Sequence, residues 1–424
     1  MKTFTGWQYL LIDLANAFGL DKKLFEERID WATAHLGALE SMVGIADSKP
    51  LYVKAMLAVR KAQKGLPSGH LVGLDAVCSG MQIMSCMAGC EAGARATGLI
   101  EQDVRSDAYT AVTKAMNELL GELGVSVSRQ DAKDATMKSL YGSKAEPKKI
   151  FGEGTDELAA FYAGLVKVAP GAWDMLCILL DSWQPYALQH AWQLPDGFDV
   201  KVKVMDTIET RIEVDELDGA SFTYQYKENM GLPVGHHKTK SNAANVVHSV
   251  DAYVLRSVHR RCNYDREGAT FANSILLHEE MRRQAESLGL ARLTQEEEAK
   301  EGSKIAYYVN LWKQTNMADV VVLPWLNAAT VKCLPNRMLM KLVQITGAMM
   351  QHKPFEVVTI HDEFKCHPNN MNALRWHYKE ILAELSESTT LDYILSHIHG
   401  KSITVNKMSN NLGQKIRQAN YALC

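Results

Sequence analysis

The chain has 424 residues, 47% hydrophobic and 22% charged, a composition that fills sizeable cores and excludes a disordered polymer. Lys+Arg number 46 and Asp+Glu 49, so the formal charge of -3 excludes a generally basic coat for nucleic acid while leaving room for a local basic groove. Eight cysteines without a Cys-x-x-Cys pair, an opening without a signal-peptide core and apolar stretches interrupted by charges point to a soluble, intracellular protein with free thiols and no membrane partner.

Most of the chain reads as helix. Apolar spacings of three and four predict helices over 7–18 and 21–43, the second capped by Asp21. Further helices are expected over 80–97, 103–121, 129–141 and 155–194, the last broken at Pro170-Gly171 and Pro185. Strand character appears at Leu71–Leu74, which leads into Asp75. It returns over 200–227, where Val200, Val202, Val204, Phe222, Tyr224 and Tyr226 alternate around an Asp218-Gly219 turn and predict one hairpin. Residues 269–316 read as a helical pair with Glu296-Glu297-Glu298 as a solvated first turn, and Phe355–Ile360 as a strand running into His361-Asp362. The expected class is α+β, helix-rich, with a small sheet.

Two constellations carry chemistry. Asp75 and Asp362 each end a short apolar run, and a small sheet would present both carboxylates at one edge, where hard cations such as Mg²⁺ bind through oxygen. The plainer account is a turn or cap aspartate in each case. Arg129, Lys133, Met137 and Tyr141 recur every four residues and are followed by Gly142. Successive members drift by only about 40° around a helix, so two cations, an apolar side chain and an aromatic share a face that suits a nucleoside triphosphate. An ordinary amphipathic helix with solvated Arg129 and Lys133 is the competing account.

Taken in order, these motifs resemble the single-subunit, DNA-dependent RNA polymerases of phages and mitochondria, relatives of the family A DNA polymerases. The resemblance rests on Asp75-Ala76-Val77-Cys78-Ser79-Gly80-Met81-Gln82, on Arg129 to Lys133 continuing to Leu140-Tyr141-Gly142-Ser143, and on Ile360-His361-Asp362-Glu363. Secondary matches are Leu194–Phe198, Val247-His248-Ser249-Val250-Asp251 and Asn420–Cys424, the last similar to a family ending that folds back near the active site. It implies a right-hand palm and fingers with a small antiparallel palm sheet. Asp75 and Asp362, with the Ala76 carbonyl, are then the ligands of two Mg²⁺ ions, and Arg129 and Lys133 hold the triphosphate. Met137 joins the substrate-binding set, Tyr141 lies at the nascent base pair and helps choose the sugar, Gly142 admits the template strand and His248 sits on the minor-groove side. Asp75, Asp362, Lys133 and Tyr141 are the implied catalytic set. Gly80 stands where family A DNA polymerases carry a glutamate that blocks a ribose hydroxyl, which favours ribonucleotides. Glu363 departs toward the DNA polymerase form, so such a polymerase, or a non-catalytic nucleic-acid-binding relative, is the alternative.

The resemblance also divides the chain. Residues 1–95 would be an N-terminal palm part, 96–199 fingers, 200–230 a specificity-loop-like hairpin, 231–264 palm, 265–350 a helical insertion and 351–424 palm with the C-terminal region. A promoter-binding N-terminal domain and a thumb are expected to be lacking. The chain is then a truncated enzyme or one half of a split one, and the second, favoured reading resembles the larger chain of the two-chain RNA polymerases of the N-four group of phages. It implies a heterodimer, a second polymerase subunit supplying the missing parts, and DNA template, RNA product and NTPs as partners. A single-stranded-DNA-binding accessory and the cytoplasm of an infected bacterium complete the expectation. Trp7, Tyr9, Leu10, Leu14 and Phe18 are core or interface. Basic clusters at Lys138, Lys144, Lys148 and Lys149, at 236–240 and at Arg256, Arg260 and Arg261 suit phosphate contacts. Arg282, Arg283, Lys332, Arg337 and Lys341 are nucleic-acid candidates or solvated helix faces.

Overall fold

The computed structural model describes residues 1–100, 103–204, 207–227, 241–290 and 297–424. Helix α1 (Gly6–Ala15) is opened by a reciprocal cap: the Thr5 hydroxyl accepts from Gln8 N, and the Gln8 carboxamide accepts from Thr5 N. It runs into a wider turn over Asn16–Leu20 that ends where Gly19 takes φ 112°. Helix α2 (Phe25–Ala34) begins later than its expected cap at Asp21. The Glu27 carboxylate instead accepts from Leu24 N, so a side chain three residues into the pattern sets the start. Tyr9, Leu10 and Leu14 are buried and Trp7 and Phe18 pack on them, which makes this face core.

Helix α3 (Lys49–Gln63), which the apolar spacing did not single out, leads to β1 (Val72–Asp75). The helix expected over 80–97 is two, α4 (Ser79–Ala88) and α5 (Glu91–Ala96). Gly89 separates them at φ 67°, with its Cα so close to Ser409 that a Cβ would stand 2.7 Å from that carbonyl. Helix α6 (Ala108–Leu120) is capped by Asp107 and α7 (Arg129–Ser139) by Ser128. After α8 (Ala145–Phe151) come α9 (Asp156–Val168) and α10 (Pro170–Asp181). Pro170 starts α10 at a position where its missing N–H costs nothing.

Helix does not continue to 194. Residues Gln189–Gln193 form β2, paired antiparallel with β3 (Asp199–Lys203), while β4 (Thr207–Val214) pairs with β5 (Ala220–Lys227). Alternation over 200–227 therefore belongs to two hairpins rather than one, because Val200 and Val202 find their partners upstream. The buried Trp192 carries β2 onto α11 (Ala243–Cys262), where its indole N–H donates to Ser249.

Helices α12 (Arg266–Ser287), α13 (Lys304–Thr315) and α14 (Asn336–Met349) surround a second apolar cluster centred on Leu276, Val322, Leu342 and Ile345. The acidic run is not the first turn of α13, which Ser303 caps. Glu297 lies in coil and pairs with Lys332, and Glu296 lies outside the described residues. The chain then forms β6 (Val358–Ile360) and β7 (Glu363–Cys366), α15 (Met371–Glu387), α16 (Thr390–His399) and α17 (Leu412–Gln418). Of the strand expected over Phe355–Ile360 only its last three residues pair.

Strand order in the small antiparallel sheet is β1-β7-β6. On the open side of β1 the backbone of Cys424 exchanges hydrogen bonds with Asp75, at 3.0 and 3.3 Å. Helix α4 packs against α10, α11 and α15, and α7 packs beside α6 and α8. Among the described residues no single helix is long and apolar enough to cross a membrane, and all eight cysteines are free.

Candidate active site

A cleft of about 500 Å³ opens over the end of β1, and Asp75, Ala76, Asp362, Arg129, Lys133 and Met137 all line it. Residues far apart in sequence are therefore brought together. The backbone explains how. Strands β6 and β7 are joined by the two-residue turn His361-Asp362, with His361 in the left-handed region at φ 55°. That turn sets Asp362 beside the end of β1, where Ala76 N donates to the Asp362 carbonyl at 3.2 Å. Three residues beyond Asp75, Cys78 is also left-handed, at φ 63°. Two non-glycine residues in this costly region flank the two aspartates, a concentration typical of sites whose geometry is over-determined.

Carboxylates crowd at the cleft floor. The Asp75 carboxyl is pushed up to about 6, first by burial and then by the Glu363 and Asp362 carboxylates. Asp251, on α11, is likewise pushed up to about 6 by burial and by Asp362. A hard cation relieves such crowding, and Asp75 and Asp362 supply the oxygen donors it needs. The Ala76 carbonyl, expected as a further ligand, accepts from Cys78 N and keeps a second lone pair. No group of three or more His, Cys, Asp or Glu forms a closed metal cage among the described residues. Two aspartates would leave further positions to water and substrate phosphate, which suits Mg²⁺. Glu363 lies along the sheet over Gly73, pairs with Lys365 at 2.9 Å and acts on Asp75 through its field. A Cβ on Gly73 would fall 2.0 Å from the Glu363 oxygen, so glycine makes this placement available.

Helix α7 forms the facing wall. Its Arg129 guanidinium donates to Asp107 at 2.6 and 3.0 Å, and both Arg129 and Lys133 stand over the Tyr109 ring, at 5.7 and 5.8 Å. Among the described residues no carboxylate pairs with Lys133. Sequence reasoning missed Asp107 and Tyr109; their signal is an Asp-x-Tyr at the start of α6, in which Asp107 caps the helix and also reaches Arg129.

Tyr141 follows α7 and lies half-buried against the His248 ring, with centroids 4.4 Å apart. Burial and the nearby Asp251 push its hydroxyl up to about 12. Gly80 faces it: a Cβ there would stand 3.1 Å from the Tyr141 hydroxyl. Gly142 has φ +90°, and the space of its missing Cβ is bounded by Ser241, at 3.0 Å, and by Leu180 and Ala243. Gly142 thus allows the end of α7 to approach the start of α11.

Most of the other basic residues are already engaged. Arg256 and Arg260 bind Asp196, Arg260 also binds Asp319, and Arg261 binds Glu384. These three were expected to meet phosphates; instead they tie α11 to its neighbours because buried or half-buried carboxylates face them. Lys138 pairs with Glu146 and Lys148 with Glu153, while Arg282 and Arg283 converge on Glu279, and Lys341 lies by Glu380. The basic cluster 236–240 lies outside the described residues.

An aspartate pair set under a cationic helix invites comparison with known nucleotide-polymerising families. Residues 3–150 match the DNA-dependent RNA polymerase family. The match spans both Asp75 and the stretch from Arg129 to Tyr141, and it indicates a DNA-directed RNA polymerase, a nucleotidyltransferase. Asp362 and His248 lie beyond it. No curated protein matches the chain.

Proposed function

We propose that the chain carries out RNA synthesis from a DNA template by two-metal nucleotidyl transfer, as the catalytic chain of a phage transcription enzyme. The observation that carries this reading is the meeting of Asp75 and Asp362, the latter tied through its carbonyl to Ala76 N, in one cleft with Arg129 and Lys133. Bound Mg²⁺ would supply charge neutralisation and activation of an attacking oxygen, held by Asp75 and Asp362. The chain's own groups do the rest. Arg129 and Lys133 orient the triphosphate and offset the charge that develops on the departing pyrophosphate. The RNA 3′ oxygen forms a bond to the α-phosphorus, the bond to the bridging oxygen of pyrophosphate breaks, and the hydroxyl proton passes to solvent. Tyr141, backed by His248, borders the sugar and base. Gly80 leaves the space beside the Tyr141 hydroxyl without a side chain, which supports ribose acceptance over the DNA polymerase alternative.

In this reading the helices around Arg129 are fingers and the β1-β7-β6 sheet is palm. The enzyme works with a second polymerase chain and a single-strand-binding accessory in the cytoplasm of an infected bacterium. Primed-template extension tests it. Ribonucleotides should be incorporated in preference to deoxyribonucleotides, and Asp75→Asn or Asp362→Asn should abolish Mg²⁺-dependent extension while template binding survives. Preference for deoxyribonucleotides would shift the reading to DNA synthesis, and full activity of either variant would sink the two-metal assignment. Co-expression with the neighbouring gene's product should raise activity if the enzyme is split.

A further inference from the structure

We infer that the exposed face of α3 is a docking track for the sugar-phosphate backbone of a nucleic-acid strand passing through the cleft. The stretch 48–74 holds four lysines, one arginine and no carboxylate, in a chain whose overall charge is -3. Such a local excess runs against the chain as a whole, in which Asp+Glu number 49 and Lys+Arg 46. Tyr52, Ala55, Met56 and Val59 bury the inner face of α3. Lys54, Leu57, Lys61 and Lys64 then fall within about 80° on the outer face, and all four are exposed.

The lysines are available. Arg60 is held by Glu40 at 2.7 Å, whereas among the described residues no carboxylate pairs with Lys49, Lys54, Lys61 or Lys64. The track is also continuous with the site. Ser48, Leu51 and Lys54 form part of the cleft wall that Asp75, Arg129 and Lys133 complete, and Lys61 and Lys64 carry the charge outward along about 15 Å of helix. Flexible lysines in a row, with the exposed Leu51 and Leu57 among them, suit a strand held by its phosphates without regard to sequence. Charge complementarity therefore selects a polyanion, and the junction with the cleft selects the strand that the proposed reaction threads through it. This inference rests on the proposed activity for the identity of the strand, not for its charge.

The test is a triple variant, Lys54→Gln/Lys61→Gln/Lys64→Gln, of the full chain. Binding of matched single-stranded DNA and RNA is read by fluorescence anisotropy over a salt series, without nucleotides. Three lost contacts at about 0.7 each should flatten the log–log salt dependence by about 2 and weaken binding at low salt. A matched variant of exposed lysines elsewhere, Lys300→Gln/Lys313→Gln/Lys401→Gln, should leave both quantities as in the parent chain. Loss for DNA assigns the track to the template, loss for RNA assigns it to the transcript, and loss for both supports shared use. Unchanged slopes overturn the inference, and so does a loss seen only with poly-glutamate, which would mark an acidic protein partner instead. An intact slope change in a chain without polymerase activity would sink the activity alone; normal extension with an unaltered slope would sink the track alone.

Discussion

In the proposed reaction Gly80 bears on substrate choice through the side chain it lacks. Its Cα faces the Tyr141 hydroxyl so closely that a single methyl group would fall 3.1 Å from it, tighter than an ordinary contact. Tyr141 cannot retreat freely, since its ring already rests against His248. Gly80→Ala should therefore displace the tyrosine and lower kcat/KM for ribonucleotides by roughly tenfold, about 1.4 kcal/mol of transition-state stabilisation. Steady-state kinetics with the four ribonucleotides check this; an unchanged kcat/KM would mean that the hydroxyl is not held where it matters.

At the scale of elements, the decisive joints are the ends of helices and strands. Gly142 turns the chain out of α7 at φ +90° and lets it pass close to Ser241 and Ala243, just before and within α11. Alanine there meets both an unfavourable backbone region and a crowded neighbour. Gly142→Ala should destabilise the fold by about 1–3 kcal/mol, measured by urea unfolding. A smaller cost would show that α7 and α11 tolerate a wider separation. The His361-Asp362 turn is the corresponding joint of the sheet, since it sets Asp362 against the end of β1.

Across the whole molecule, buried charge ties the helix that carries His248 and Asp251 to the rest. Arg261, fully buried on α11, donates to Glu384 on α15 at 2.6 and 3.3 Å, which keeps the guanidinium charged in a dry setting. Glu384→Gln leaves that charge uncompensated and should cost about 3–5 kcal/mol in chemical denaturation. Replacing both residues by methionine should cost far less, and equal losses would show that packing rather than charge is at stake. Lys379, also on α15, gives a pH signature. Its ammonium donates to the carbonyls of Arg417 and Ala419, yet burial, with Arg375 nearby, lowers its pKa from 10.5 to about 8. Between those values the unfolded chain binds more protons, so stability should rise as pH increases from about 8 toward 10.5, by about 3 kcal/mol at most. Lys379→Met should abolish that rise; its persistence would place the titrating group elsewhere.

What sequence alone determined is local and periodic. The four-residue recurrence is enough to place Arg129, Lys133 and Met137 along one helix side, because helical geometry fixes their angular drift, whereas Tyr141 stands past the end of α7. The apolar runs before Asp75 and Asp362 likewise marked two strand ends. Tertiary structure decided the pairings. Nothing local to Val200 says that its partner lies at Trp192, and nothing local to Arg256, Arg260 or Arg261 says that carboxylates already wait for them. Asp107 and Tyr109 joined the site only once α6 and α7 packed side by side. The lysines of α3 lay in plain view of the composition, but an overall charge of -3 averaged them away. Only their common outer face and its junction with the cleft gave them a direction, since a charge acts through its position in space and a sequence records only its order.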